Sequence, residues 1–308
     1  GDTVIFLPYI KALYKKFNSP ISLLVKDSSK ANQYLSETNY IDEIIILERD
    51  GNNTSRHSGI FGSFNLIKDL KRYNFDKIFI FNSSLRFNLI ARFSNIPEIY
   101  QYPLFDKHEQ HITDTPKKFL KDNLDLEVNE DPDIQISDIS INKTNEKFKI
   151  SNNELNILLG IGGSGPTKRI PSRIFLEVIE KISKVKKCKF FLATGKGHEE
   201  QIILNEILNS KFKNYCIPLD DFSIKETLPI IKCCDLSICN DSSFSHLSAA
   251  LGIKTITLMA DTPLIYGNYS SKMYPVIPDG VETVGHNTLG KEKINSQKIY
   301  EKILEINN

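Results

Sequence analysis

The stretch from Leu236 to Met259 constrains the fold more than any other part of the chain. It reads Leu-Ser-Ile-Cys-Asn-Asp-Ser-Ser-Phe-Ser-His-Leu-Ser-Ala-Ala-Leu-Gly-Ile-Lys-Thr-Ile-Thr-Leu-Met. Two short apolar runs, Leu236–Cys239 and Thr255–Met259, flank a polar turn and a helical segment. Asn240, Asp241 and Ser242 are cap and turn residues, Leu247, Ala250 and Leu251 form one apolar helical face, and Gly252 is a natural helix stop. Strand, turn, helix and strand in this order point the free N–H groups and positive dipole end of the helix into the crevice where open α/β sheets bind ligands. Such a place suits a phosphate. Asp241 can accept hydrogen bonds from sugar hydroxyls there, and His246, four residues after Ser242, lies on the same helix face. A plain helix cap at Asp241 and a hydrogen-bonded core histidine at His246 account for the same residues.

Elsewhere the same alternation recurs. Val4, Leu7, Ile10, Leu13, Tyr14 and Phe17 predict an amphipathic helix from Thr3 to Phe17, with Pro8 near its first turns. Strands are expected at Ile21–Val25, Ile44–Leu47 and Lys77–Phe81, with helices at Ala31–Leu35, Phe64–Tyr73 and Ser84–Phe93, the last turning Arg86 and Arg92 outward. The polar segment Glu48–Gly62, containing Asp50-Gly-Asn-Asn and Arg56-His57-Ser58-Gly59, is long for a connection and reads as a lid, an acceptor contact or a disordered insertion. Glu127 to Asn145 is acidic and aperiodic, so a domain junction is expected near Asn152, dividing residues 1–151 from 152–308. The second half restarts at Leu155–Leu159 and continues through helices beginning at Ser172, His198 and Ser223, strands at Lys189–Thr194 and Tyr215–Leu219, and a closing helix at Asn295–Ile306. Strands alternating with helices mean βαβ units and mainly parallel sheets.

Composition narrows the function. With 39 Lys+Arg against 38 Asp+Glu, the 308-residue chain has no global field for nucleic acid. Its five cysteines, at 188, 216, 233, 234 and 239, lack C-x-x-C pairs and histidines at ligand spacing, and read as reduced core residues of a cytoplasmic protein. No metal site is expected: His108 and His111 stand apart from other ligands, and Asp131-Pro-Asp133 sits in a linker. No apolar run reaches a membrane span, so any membrane contact is peripheral. The chain opens on Gly1-Asp2-Thr3 with helical periodicity directly after, which leads us to expect a strand upstream of Gly1 and, without it, an interrupted first sheet.

Gly160, Gly162 and Gly165 match G-x-G-x-x-G after a strand. A nicotinamide site is disfavoured, because Pro166–Pro171 separate the last glycine from the helix and the next strand ends in Ala193-Thr-Gly-Lys196 with no acidic residue for a ribose. Lys168 and Arg169 beside a glycine turn can instead neutralise a pyrophosphate, or form a solvent-facing pair.

Three separated pieces together resemble glycosyltransferase family 9, the lipopolysaccharide heptosyltransferases: Gly1-Asp2 with Leu7-Pro8 and Leu13; Gly162-Gly163-Ser164 with Lys168-Arg169 and Pro171; and Asn240-Asp-Ser-Ser-Phe-Ser-His246 through Ala249-Ala-Leu-Gly252. Asp261-Thr-Pro263 stands where that family has a Thr-x-Pro turn. Ile170 replaces the family's usual Trp and Ser243 a Gly. The resemblance implies an α/β GT-B architecture of two Rossmann-like domains facing across a cleft, the first binding acceptor and the second a nucleotide sugar. It implies metal-independent inverting transfer, without a cofactor, from an ADP-activated heptose to a lipid-linked core saccharide, in the cytoplasm or at the inner face of the cytoplasmic membrane.

On that basis Asp2 is the expected general base, and Gly163, Ser164, Lys168, Arg169, Asp241, Ser242, Ser243, Phe244 and His246 the expected donor-binding residues. A bland role for Asp2 is to cap the first helix. Three other classes share parts of the pattern: a non-hydrolysing sugar-nucleotide epimerase, which forms product from donor alone; a non-catalytic nucleotide-sugar-binding protein; and a nicotinamide dehydrogenase.

Overall fold

The computed structural model describes residues 1–49, 55–104, 111–151 and 153–307. The chain forms two compact units, one made of Gly1–Leu7, Gln33–Thr38 and Asp131–Asn308, the other of Pro8–Asn32 and Asn39–Glu130. Asp50–Thr54, His108 and the expected junction at Asn152 lie outside the described residues.

The first helical periodicity gives two helices, α1 (Asp2–Ile5) and α2 (Leu7–Phe17), where one was expected. Pro8 explains the break at Phe6: it has no N–H to offer the Val4 carbonyl, and its ring crowds the preceding turn. Next come β1 (Ile21–Lys26), α3 (Ala31–Tyr34), β2 (Ile41–Leu47), α4 (Gly59–Leu70), β3 (Lys77–Ile80), α5 (Leu85–Phe93), β4 (Glu98–Gln101) and α6 (Asp114–Leu124). Within the smaller unit the strands form two separate parallel pairs, β1 with β2 and β3 with β4. Leu47, Leu66, Leu70 and Ile90 make a buried cluster under α4 and α5.

The Glu48–Gly62 connection is tied down in its described part. His57, 2% exposed, accepts from the Glu48 N–H at Nδ1 (3.0 Å), and its Nε2 lies 3.1 Å from Asp69 Oδ2. Arg86, expected on the outer surface, instead donates to the His57 carbonyl (2.5 Å) and the Ser63 hydroxyl (2.9 Å).

In the larger unit, α7 (Asp138–Phe148) falls in the segment that reads as aperiodic; the Ser137 hydroxyl caps it by accepting from the Ser140 N–H. There follow β5 (Leu155–Gly160), α8 (Ser172–Ser183), β6 (Cys188–Ala193), α9 (His198–Leu208), β7 (Cys216–Pro218), α10 (Ile224–Lys232), β8 (Leu236–Asn240), α11 (Ser243–Ala250), β9 (Thr255–Leu258), β10 (Met273–Val276) and α12 (Ser296–Asn307). One sheet runs β10-β9-β8-β5-β6-β7, parallel throughout. Its winding reverses between β5 and β8. A doubly wound sheet opens its ligand crevice at that switch point, beyond the carboxyl ends of those two strands. Ile157, Leu159, Phe190, Leu192, Ile238 and Ile256 carry the sheet's core, against Phe175, Val178 and Ile179 of α8 and Ile299 and Ile303 of α12.

Asp131, read as a linker residue, fixes the loop before β10: its carboxylate accepts from the Ser271 N–H (3.1 Å) and hydroxyl (2.5 Å). Among the described residues no helix is long and apolar enough to cross a membrane. At the start of α10, Ser223 and Glu226 close a reciprocal capping box. Ser223→Ala should lower the unfolding free energy by about 1 kcal/mol, read from urea denaturation; an unchanged midpoint would show that the cap is dispensable.

Candidate active site

The switch point brings the turn after β5 beside the turn after β8. Asn240, fully buried, joins them: its Nδ2 donates to the carbonyls of Ile161 (2.8 Å) and Gly162 (3.2 Å). Next in the chain, Asp241 is 5% exposed, and Lys168 Nζ donates to its Oδ2 at 2.7 Å. Burial is the largest influence and by itself would raise the Asp241 carboxyl, but the hydrogen bonds it accepts and the Lys168 charge together hold it below its ordinary value. A buried carboxylate stripped of such a partner costs about 3–5 kcal/mol. The pair is therefore a condition of the local fold as well as a feature of the site.

The start of α11 is open. No side chain caps it, and the Ser242 hydroxyl is buried with no hydrogen-bond partner among the described residues. First-turn N–H groups left without a capping acceptor make a seat for an anion. Ser243 is exposed and Phe244 half-buried at this end, whereas Ser245 donates to the Ser242 carbonyl (2.7 Å) and is buried.

His246 is a core residue with polar company. Its Nδ1 lies 2.9 Å from the Tyr269 hydroxyl, the two rings stack at 5.6 Å, and Nε2 stands 4.0 Å from Asp241 Oδ1. Burial pushes the imidazole far below its ordinary value of 6.5, so it is neutral at pH 7. Gly1 packs on the opposite edge of the ring: a Cβ there would approach Nε2 to 3.1 Å, which leaves little room for any other residue. Helix α1 packs against α11 in the same compact unit, and the charges of Asp2, Asp241 and Lys168 all act at the Gly1 nitrogen. Asp2 itself is exposed. The structure thus brings Lys168 to Asp241 and His246 at the start of α11, with α1 packed against the same helix.

The glycine turn holds a residue that sequence reasoning missed. Glu200, in the first turn of α9, accepts from the Gly163 N–H at 2.9 Å, and a Cβ on Gly162 would come within 2.6 Å of the same carboxylate. An acidic group does therefore stand at this turn, supplied by the helix four residues past Lys196 rather than by the strand end. Glu199-Glu200, separated from Gly195-Lys-Gly197 by His198 alone, is the available signal. Arg169 is used within the turn: Nε donates to the Gly163 carbonyl (2.8 Å), and the guanidinium pairs with Glu199. Ser164 is exposed, and Ile170 is fully buried in the core. Asp261 accepts from the Leu289 N–H (2.8 Å) and so fixes the neighbouring turn. His111 accepts from the Asp114 N–H at 3.1 Å, at the start of α6.

This geometry can be compared with known proteins. The fold is that of "E. coli ADP-heptose lps heptosyltransferase II", with a TM-score of 0.71, 19% identity, and coverage of 99% of this chain and 95% of that one. It is the α/β, GT-B class expected from sequence. Residues 63–302 match glycosyltransferase family 9 (heptosyltransferase), and the chain belongs to that family, and with it to the glycosyltransferases. Lipooligosaccharide heptosyltransferase 2 of Campylobacter jejuni is 26% identical over 275 residues, 85% of this chain and 78% of that protein. Lipopolysaccharide heptosyltransferase 1 of Campylobacter coli is 28% identical over 148 residues, 47% of this chain and 43% of that protein, so the match spans less than half of that relative's length.

The buried histidine gives a pH signature. In the unfolded chain His246 takes a proton as pH falls through about 6.5, whereas the folded chain resists it, so stability is full above that value and declines below it. His246→Gln should flatten the dependence of unfolding free energy on pH below 6.5, by up to about 1.4 kcal/mol per pH unit; an unchanged slope in urea melts would show that His246 is protonated in the folded protein.

Proposed function

We propose that this protein is a metal-independent inverting glycosyltransferase that moves heptose from ADP-heptose to a saccharide of the lipopolysaccharide core, working in the cytoplasm at the inner face of the cytoplasmic membrane. The observation that carries the proposal is the Lys168–Asp241 pair beside the uncapped start of α11. The donor pyrophosphate sits against the first-turn N–H groups of α11, with Lys168 as its cation, and Ser164, Ser242 and Ser243 are the hydroxyls at hand. Asp241 accepts from hydroxyls of the transferred sugar, and Phe244 packs beside it. His246 holds Asp241 and Gly1 in place as a neutral ring. Arg169 acts on the phosphates through the backbone of Gly163. The family membership and the heptosyltransferase names of the relatives support the donor and acceptor classes.

Asp2 is the general base in this mechanism. Its carboxylate takes the proton of the acceptor hydroxyl while that oxygen forms a bond to the anomeric carbon from the face opposite the nucleotide. The bond from the anomeric carbon to the phosphate oxygen breaks, and ADP leaves with the electron pair. Charge developing on the diphosphate meets the helix dipole and the Lys168 ammonium, which are already oriented.

Two variants separate base from cradle. Asp2→Asn should lower turnover by about a hundredfold or more while ADP affinity in calorimetry stays the same; unaltered turnover would remove Asp2 from the mechanism. Lys168→Ala should weaken ADP binding about tenfold, and Lys168→Arg should recover part of it; ADP binding indifferent to both would remove Lys168 from the donor site.

A further inference from the structure

Helices α4 and α5 are apolar on two faces. Inward, Leu66, Leu70 and Ile90 are buried with Leu47. Outward, Ile60, Phe61 and Phe64 of α4 are 78%, 85% and 64% exposed, and Leu85, Leu89 and Phe93 of α5 are 51%, 43% and 62% exposed. A helix in a globular unit needs one apolar face to pack, and single exposed apolar residues are ordinary. Six of them on two packed helices are not, and a contiguous exposed apolar patch marks an interaction surface.

The charges around the patch say what kind of surface it meets. Of the seven cations from Arg56 to Phe93, Arg56 is held by Asp69, Lys77 by Glu98, and Arg86 is turned inward, which leaves Lys68, Lys71, Arg72 and Arg92 exposed on this stretch. Asp69 is already committed to Arg56 (2.7 Å) and His57 (3.1 Å). Lys68 and Lys71 are exposed and form no ion pair among the described residues. Ile60, Phe64 and Lys68 follow one another at intervals of four along α4, so apolar side chains and a cation share one stripe. Arg86 of α5 bridges to α4 through Ser63 and to the turn before it through the His57 carbonyl.

We propose that the outer face of α4 and α5 docks on a bilayer that contains anionic lipids. Aromatic and aliphatic side chains bed into the headgroup boundary while lysines and arginines reach the lipid phosphates, the division of labour of an interfacial amphipathic helix. A second copy of this chain is a poor occupant, because it would set one cationic face against another. The docking needs neither donor nor acceptor. It rests on the membrane-face part of the proposed function alone, so its failure leaves the reading of the active site untouched.

Flotation of the full chain with phosphatidylcholine vesicles, with and without phosphatidylglycerol, tests this. The protein should float with the anionic vesicles, more weakly with phosphatidylcholine alone, and be released in part by high salt. Phe61→Ser/Phe64→Ser on α4, and separately Leu89→Ser/Phe93→Ser on α5, should each lower partitioning about tenfold or more with an unchanged melting temperature, since all four side chains are exposed. Lys68→Glu/Lys71→Glu should abolish the preference for the anionic vesicles. The proposal is overturned by absence of binding to either vesicle, by partitioning that ignores both serine pairs, or by a concentration-dependent dimer in light scattering that the serine pairs dissolve.

Discussion

One interaction organises the larger unit's site: a lysine ammonium 2.7 Å from a carboxylate that is 5% exposed. Residues 168 and 241 come from turns after different strands, and only the reversal of winding between β5 and β8 brings those turns together. Because the Asp241 charge is buried, the protein must keep a cation beside it. Lys168 is that cation, and it is partly exposed, so it can also answer to a ligand. The neighbouring groups follow from this requirement. Asn240 locks the two turns together, His246 stays neutral because it is buried, and Gly1 is small because the imidazole edge lies against it.

Much of this was legible in the sequence. The β8-turn-α11-β9 unit was readable because short apolar runs on either side of a polar cap admit few other folds. Lys168 and Asp241 were both singled out as ligands of a phosphorylated sugar, although their mutual contact at 73 residues' separation leaves no local trace. The same limit hid Glu200, whose carboxylate reaches the glycine turn from the next helix, and Tyr269, whose hydroxyl meets His246. Arg86 reads as an outward cation and Arg169 as a phosphate ligand, because backbone carbonyls, the acceptors both of them meet, are invisible to residue patterns.

Local structure went astray where tertiary packing outweighs periodicity. α7 is too polar to announce itself, yet its Ser137 cap and the Glu37 carboxylate, which accepts from the Ser137 N–H at 2.6 Å, set its start. The β4 strand begins and ends on polar residues and β10 carries a proline, so neither shows the uninterrupted apolar run that marks β3. Conversely, one periodic run at the beginning gives two helices, because a proline can satisfy the pattern while refusing the hydrogen bond. The smaller unit shows a different mismatch: α4 and α5 spend apolar residues on an outer face that folding does not require, which is the mark of a surface selected for contact.

The central claim is that the uncapped start of α11 and the Lys168–Asp241 pair form the seat of a nucleotide diphosphate. A crystal structure of the protein with ADP tests it most directly. The account predicts the phosphate oxygens within hydrogen-bond reach of Lys168 Nζ and of the first-turn N–H groups of α11; phosphates bound elsewhere, with these groups untouched, would contradict it.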